Sequence, residues 1–255
     1  MIALVDVGAA YGEIREEIDA AVKAILSSGW YIGGPAVEGF ESDYAKFCGA
    51  AACVGVGNGL EALALSLRAL GVGEGDEVIV PATTYIASWL AVSMVGAVPV
   101  PVEPDPATYC IDPARIVSAI TPATRCIMPV HLYGHPCDMD AIMPIAREHG
   151  LVVVEDAAQA HGAMIGDRPI GTHGDAIAWS FYPSKNLGAM GDAGAVTTNE
   201  LEIARRIRML GNYGSEVRYV NEVKGVNSRM DPLQAAILRV KLMRLDEWND
   251  RRRTI

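Results

Sequence analysis

The sequence predicts an α/β fold, a mostly parallel seven-stranded sheet with helices on both faces. Three observations lead there. Seven short runs rich in Val, Ile and Ala recur at 52–56, 77–81, 97–102, 125–130, 151–155, 176–181 and 194–198. The runs are nearly continuous rather than alternating, as expected of strands covered on both faces. Helical patterns fall between several of them, which implies layered strand–helix units.

Taken in order, residues 12–28 carry Ile14, Ile18, Val22 and Ile25 at helical spacing and stop at Gly29, predicting an amphipathic helix packed on the main body. Residues 60–70 are apolar nearly all round and are expected to form a buried helix. Residues 78–102 contain no charge and are long enough to cross a bilayer. Pro81, Pro99, Pro101, Gly96 and the Thr83-Thr84 pair interrupt them, so strand, buried helix and strand in succession is the better reading. A helix over 138–149 has an acidic start and ends at Gly150; Pro144 inside it should kink or shorten it. Residues 200–210 and 232–248 are also expected to be helical.

Composition narrows the function. The chain has 255 residues, 51% of them hydrophobic and 20% charged, which supplies a sizeable core and excludes intrinsic disorder. The net charge of −10 argues against nonspecific binding to nucleic acid or an anionic membrane. Residues 1–200 hold 9 basic and 24 acidic side chains, whereas 201–255 hold 12 and 7. The Arg251-Arg252-Arg253 run is read as a solvated helix face or a surface for another domain rather than as a nucleic-acid patch. Cys48, Cys53, Cys110, Cys126 and Cys137 form no CxxC pair and suit free thiols in a reducing, cytoplasmic setting. The start, Met1-Ile-Ala-Leu-Val-Asp6, has no basic region before an apolar stretch, so no signal peptide is expected.

Three features carry chemistry, and in open α/β sheets ligands bind beyond the carboxyl ends of the strands. Gly55-Val-Gly-Asn-Gly59 follows a strand and opens a helix. It is neither a GxxxxGK[ST] loop nor a GxGxxG fingerprint, and reads equally as a tight turn or a phosphate cradle. Asp156 ends a very apolar strand, where it could cap a helix or pair with a cationic ligand or metal. Lys185, one of five lysines, stands in an apolar stretch beside Pro and Gly turns at a strand end. It could be an ordinary loop lysine or a desolvated nucleophile toward carbonyls. Together these three suit pyridoxal 5′-phosphate: an amine for a Schiff base, an acid for the ring nitrogen and a helix start for the phosphate.

The segments 55–63 (GVGNGLEAL), 155–163 (EDAAQAHGA), 180–188 (SFYPSKNLG), 191–195 (GDAGA) and 225–231 (GVNSRMD) resemble the DegT/DnrJ/EryC1/StrS aminotransferases in matching order along the chain. The resemblance implies a fold-type I large domain and a sugar-nucleotide transaminase. It implies Lys185 as the Schiff-base lysine and proton shuttle, and Asp156 as partner of the pyridine nitrogen. Gln159 falls near the ring hydroxyl, Tyr85 stacks on the cofactor face, and Asn58, Gly59 and Ser180 hold the phosphate. Asn227 would reach the phosphate of a neighbouring subunit, which requires a homodimer. The implied reaction is ping-pong transfer from glutamate to a nucleotide-linked keto-deoxyhexose, nearest the thymidine-diphosphate 3-keto-6-deoxyhexose enzymes. A non-catalytic cofactor-binding or regulatory protein and a pyridoxamine-phosphate-dependent dehydratase are the alternatives. Dehydrating relatives carry His at the lysine position, which disfavours the last.

The same resemblance implies an N-terminal helical segment over 1–30, a cofactor-binding domain over 31–235, and the start of a C-terminal domain over 236–255, truncated because the chain ends in Arg-Arg-Arg-Thr-Ile without a helix stop. Gly211 stands where relatives often have Arg. His131, His135 and Cys137 have a zinc-like spacing but no fourth ligand nearby, so no metal is expected. His161 is read as a structural histidine, and Glu155 as a sheet-edge or supporting group.

Overall fold

The computed structural model describes residues 6–255; the reading of the first five residues as lacking a signal peptide lies outside them. The chain starts with helices α1 (Ala9–Glu13), α2 (Arg15–Ser28) and α3 (Pro35–Cys48), then strand β1 (Ala52–Val56) and helix α4 (Gly59–Ala69). There follow β2 (Glu77–Pro81), α5 (Ile86–Met94), β3 (Val98–Val102), α6 (Pro113–Ala119), β4 (Thr124–Ile127), α7 (Met139–His149) and β5 (Val152–Asp156). A small hairpin of β6 (Met164–Ile165) and β7 (Arg168–Pro169) precedes β8 (Ala176–Ser180), β9 (Gly194–Thr198), α8 (Leu201–Gly211), α9 (Pro232–Leu242) and α10 (Leu245–Arg253).

Among the described residues, the main sheet has seven strands in the order β1-β9-β8-β5-β4-β2-β3. β9 runs antiparallel to both its neighbours, and every other pairing is parallel. The α/β expectation therefore holds, and β1, β2, β4, β5 and β8 end on the same side. One face is covered by α4, α5 and α8 through Leu63, Leu67, Val92 and Ile207. The other is covered by α3 and α9 through Phe40, Tyr44 and Leu238, packed on Trp179 and Phe181. Phe40, Tyr44, Phe181 and Trp179 form edge-to-face contacts at 5.2–5.4 Å. A third cluster packs α6 and α7 on Ile79, Ile127 and Val153.

The predicted helices shift in four places. The 12–28 helix is two helices broken at Ile14, whose φ of −129° leaves helical space. The break turns Ile14 inward with Ile18 against Ile237 and Trp248. The 232–248 helix likewise breaks at Met243–Arg244, which leaves Met243 exposed and brings Leu245 and Trp248 into the core. Pro144 does not shorten its helix: α7 spans 139–149, capped by Asp138 at one end and left-handed Gly150 at the other. Burial of Met139, Ile142 and Ala146 holds that amphipathic face in place. Finally, α5 is only half-buried: Ser88, Ala91 and Val92 face inward, while Ile86, Leu90 and Met94 are exposed.

Among the described residues, no helix is long and apolar enough to cross a membrane, and no cluster of His, Cys, Asp or Glu could hold a metal ion. Arg251 pairs with Glu13, and Arg253 with Asp250, as a solvated face would. All five cysteines are buried and unpaired.

Candidate active site

A cavity of about 550 Å³ opens where the parallel strands end. Its walls include Asn58, Gly59, Tyr85, Asp156, Gln159, Ser180 and Lys185. Seven of the eight expected site residues thus converge from segments far apart in the chain. Asn227 does not: it is exposed and is absent from the lining of its own chain's cavity. A second cavity of about 530 Å³ surrounds the Glu41–Arg208 ion pair and contains none of the expected residues.

The phosphate side is built by close backbone approach. Asn58 caps α4: its Oδ1 accepts the Glu61 amide at 2.9 Å. The amides of Gly59 and Leu60 in the same first turn have no partner further back in the helix and stand at the cavity wall. A Cβ on Gly59 would lie 2.6 Å from Cβ of Ser180, and one on Gly194 would lie 2.4 Å from the Asn58 carbonyl carbon. Only glycines let this helix start sit so tightly against β8 and β9. The donor set and the positive end of the helix suit a phosphate.

Also in the cavity lining, Asp156 ends β5 and is 6% exposed. No helix follows it, so it is not a helix cap. Its Oδ2 accepts from Ser88 Oγ at 2.8 Å and its Oδ1 from the Ala158 amide at 3.1 Å. Burial raises its carboxyl above the ordinary range, opposed by Ser88, the Ala158 amide and the charge of Lys185. Lys185 sits in the turn after β8, its amide bonded to the Tyr182 carbonyl. Burial pushes its amine down, and Asp156 pulls it back up. A lowered ammonium leaves more free amine near neutrality, as a carbonyl nucleophile needs.

Gln159 Oε1 accepts the Tyr133 amide at 2.6 Å, which leaves its NH₂ as the free donor on the cavity side. Tyr85 precedes α5 and is 71% exposed, an aromatic ring standing at the cavity mouth. The amine, acid, amide and phosphate cradle therefore fit pyridoxal phosphate on the geometry of these residues.

Three neighbours are held by other protein groups. His131 Nδ1 accepts the Cys137 amide, so Nε2 carries hydrogen and donates to Glu155 Oε2 at 2.8 Å. Both are fully buried, which leaves His131 and Cys137 no role as an exposed metal pair, while His135 is exposed. Glu155 is not at a sheet edge: β5 is the middle strand of seven, and Glu155 also accepts the Gly174 amide. His161 bridges the Tyr44 hydroxyl and the Ser180 carbonyl, beneath the cavity. At Gly211, a Cβ would stand 2.6 Å from the Ser228 carbonyl oxygen, so a side chain there needs a different path for 227–229.

Thr84, Ser88, Ser184 and Asp192 were not singled out by the sequence; Thr84, Ser184 and Asp192 line the cavity, and Ser88 stands behind it. Thr84 was legible only as part of the Thr83-Thr84 pair, read there as an interruption of the apolar run.

Residues 12–255 match the DegT/DnrJ/EryC1/StrS aminotransferase family. A Saccharopolyspora erythraea protein named erythromycin biosynthesis sensory transduction protein EryC1 is 58% identical over all of this chain and 69% of its own length. A Streptomyces venezuelae dTDP-3-amino-3,4,6-trideoxy-alpha-D-glucose transaminase is 56% identical over 98% of this chain and 66% of its own. The crystal structure of S. venezuelae DesV in complex with a ketimine intermediate superposes with a TM-score of 0.97 at 56% identity, covering 99% of this chain and 68% of that one. The chain spans about two thirds of the length of these relatives.

Proposed function

Because the chain belongs to the DegT/DnrJ/EryC1/StrS aminotransferase family, we propose that it acts in pyridoxal-phosphate-dependent transamination, moving an amino group from glutamate to a nucleotide-linked keto-deoxyhexose. The substrate we infer is a dTDP-linked 3-keto-6-deoxyhexose; the S. venezuelae transaminase is named for a dTDP sugar aminated at carbon 3 that lacks the oxygen at carbon 6 and also at carbon 4. The observation that carries this reading is the meeting of Lys185, Asp156 and the Asn58–Gly59 helix start on one cavity.

When bound, the cofactor supplies an aldehyde for an amine to attack and a protonated ring that withdraws electrons from the reacting carbon. Lys185 would hold the cofactor through its amine and, once released, would be the base that moves a proton between the substrate carbon and the cofactor. Asp156, buried beside the cavity, would in its ionised form keep the proton on the ring nitrogen. The Asn58–Gly59 helix start and the Ser180 hydroxyl would hold the phosphate, and the Gln159 amide would face the ring hydroxyl.

The shared site is part of the same proposal. Asn227, exposed on its own subunit, reaches the phosphate of a second copy, and the exposed Trp30, Tyr31, Ile86, Leu90 and Met94 supply apolar surface for that pairing. The proposed segments are 1–30, 31–235 and 236–255; Ile14 and Ile18 meet Ile237 and Trp248 where the first and last join. The five buried free thiols suit a cytoplasmic location.

A second reading has one observation behind it. The relative at 58% identity is named a sensory transduction protein, which points to a cofactor-binding regulator. A spectrum of the pyridoxal-phosphate-loaded chain decides between them. Glutamate converts a transaminase to its amine-bearing cofactor form, with loss of the long-wavelength band, and the dTDP keto-sugar restores it. A band that glutamate leaves unchanged favours the regulator.

A further inference from the structure

Ser88 lies 68 residues before Asp156 in the chain, yet its hydroxyl is aimed at the carboxylate. Helical serines ordinarily return their hydroxyl to the carbonyl four residues back. Ser66 does so at 2.7 Å from the Ala62 carbonyl, and Ser93 at 3.2 Å from that of Trp89. Ser88 stands in the first turn of α5, where the residue four back lies outside the helix, and its hydroxyl goes to other side chains. Its Oγ is 2.8 Å from Asp156 Oδ2 and 2.9 Å from Thr84 Oγ1, and the residue is wholly buried.

Hydrogen counting sets the direction of this chain. An ionised carboxylate only accepts, so the single Ser88 hydrogen lies toward Asp156. Ser88 Oγ then accepts from Thr84, whose side chain borders the cavity. Without Ser88, the buried carboxylate would keep one neutral donor, the Ala158 amide, and the cheaper response to burial is protonation. The positive charge of Lys185 also favours an ionised Asp156. Lys185 attacks a carbonyl as the free amine and is displaced again when an amino donor takes its place, so it is no lasting counter-ion.

We propose that Ser88 is a positioning residue of the active site: its hydroxyl, oriented by Thr84, keeps Asp156 ionised and fixed at the cavity wall so that the acid can hold a proton on the cofactor ring nitrogen. The proposal rests on the functional reading of Asp156 given above.

The test compares pyridoxal phosphate with its 1-deaza analogue, which lacks the ring nitrogen, by spectral titration of the wild type, Ser88→Ala and Ser88→Thr. Wild type prefers the cofactor that carries the nitrogen. Ser88→Ala weakens pyridoxal phosphate about tenfold to a hundredfold, as expected for losing a hydrogen bond to a charged group, and leaves the analogue within about twofold. Ser88→Thr restores the preference. Infrared spectra of the cofactor-free chain give an independent readout. Ser88→Ala gains a protonated-carboxyl band that the Ser88→Ala, Asp156→Asn double variant lacks. A wild-type preference that Ser88→Ala retains in full, or an equal loss for both cofactors with no new infrared band, overturns the role of Ser88 alone. A wild type that binds both cofactors alike overturns the reading of Asp156, and this inference with it.

Discussion

The Tyr44 hydroxyl donates to Nδ1 of His161 across 2.6 Å, joining α3 to the loop after β5 over 117 residues of sequence. Nε2 of the same ring donates to the Ser180 carbonyl at 2.9 Å, so the tautomer is set on both sides. Asn186 and Asn249 both donate to the His161 carbonyl. One histidine thereby ties the end of β8, the loop beside Lys185 and α10 together.

Burial lowers the His161 imidazole to about 4 from an ordinary 6.5. The folded chain favours the neutral ring, so its contribution is complete above pH 6.5 and is lost as the pH falls toward 4. The difference corresponds to roughly 3 kcal/mol. Denaturant unfolding of the cofactor-free chain should show this acid loss. His161→Gln should be less stable at pH 7.5 but should show a flatter slope between pH 6.5 and 4. An unchanged slope would exclude His161 as the titrating group.

Lys185→Ala removes the amine from the cavity while the phosphate grip remains. Pyridoxal phosphate should still bind, more weakly, and the long-wavelength absorption of the lysine-linked cofactor should vanish. A spectrum identical to wild type would remove Lys185 from the chemistry.

Asp156→Ala tests a different property of the same site. The cofactor should still attach to Lys185, because the amine and phosphate contacts are intact. Turnover of glutamate should fall by at least about a hundredfold, since a protonated ring nitrogen is worth several kcal/mol in a buried site. Single-turnover absorbance with glutamate measures it, and full activity would refute the electron-withdrawing role.

Gly194→Ala tests the cradle. The added Cβ would stand 2.4 Å from backbone of Asn58, so the helix start must move. Such overpacking costs about 1–3 kcal/mol, which, borne by the phosphate grip, corresponds to roughly fivefold to a hundredfold in affinity. Binding of pyridoxal phosphate should weaken by that amount, while pyridoxal, which lacks the phosphate, should bind about as it does to the wild type. Equal weakening of both would place the strain elsewhere.

Much of this was legible in the residues. The strand runs 52–56, 77–81 and 194–198 coincide with β1, β2 and β9. Continuous apolar runs are readable because both faces of a covered sheet impose the same demand on every position. The breaks at Ile14 and at Met243–Arg244 were not legible, because local periodicity continues through them and only packing between distant helices favours the turn. Asp156 and Lys185 stood out by being charged beside apolar strands, where charge is costly. Ser88 did not, since a serine in a helix carries no such cost.

Alone, the order of residues determined the layered α/β architecture, the family resemblance and the kinds of group available for chemistry, because burial and turn geometry leave local marks in composition and spacing. Tertiary structure alone decided which groups share a wall. The Thr84–Ser88–Asp156 chain, the His131–Glu155 pair and the Gly194–Asn58 approach all join separate elements. A hydrogen bond or a steric contact depends on distances that strand order and helix packing set, and no single stretch of sequence contains them.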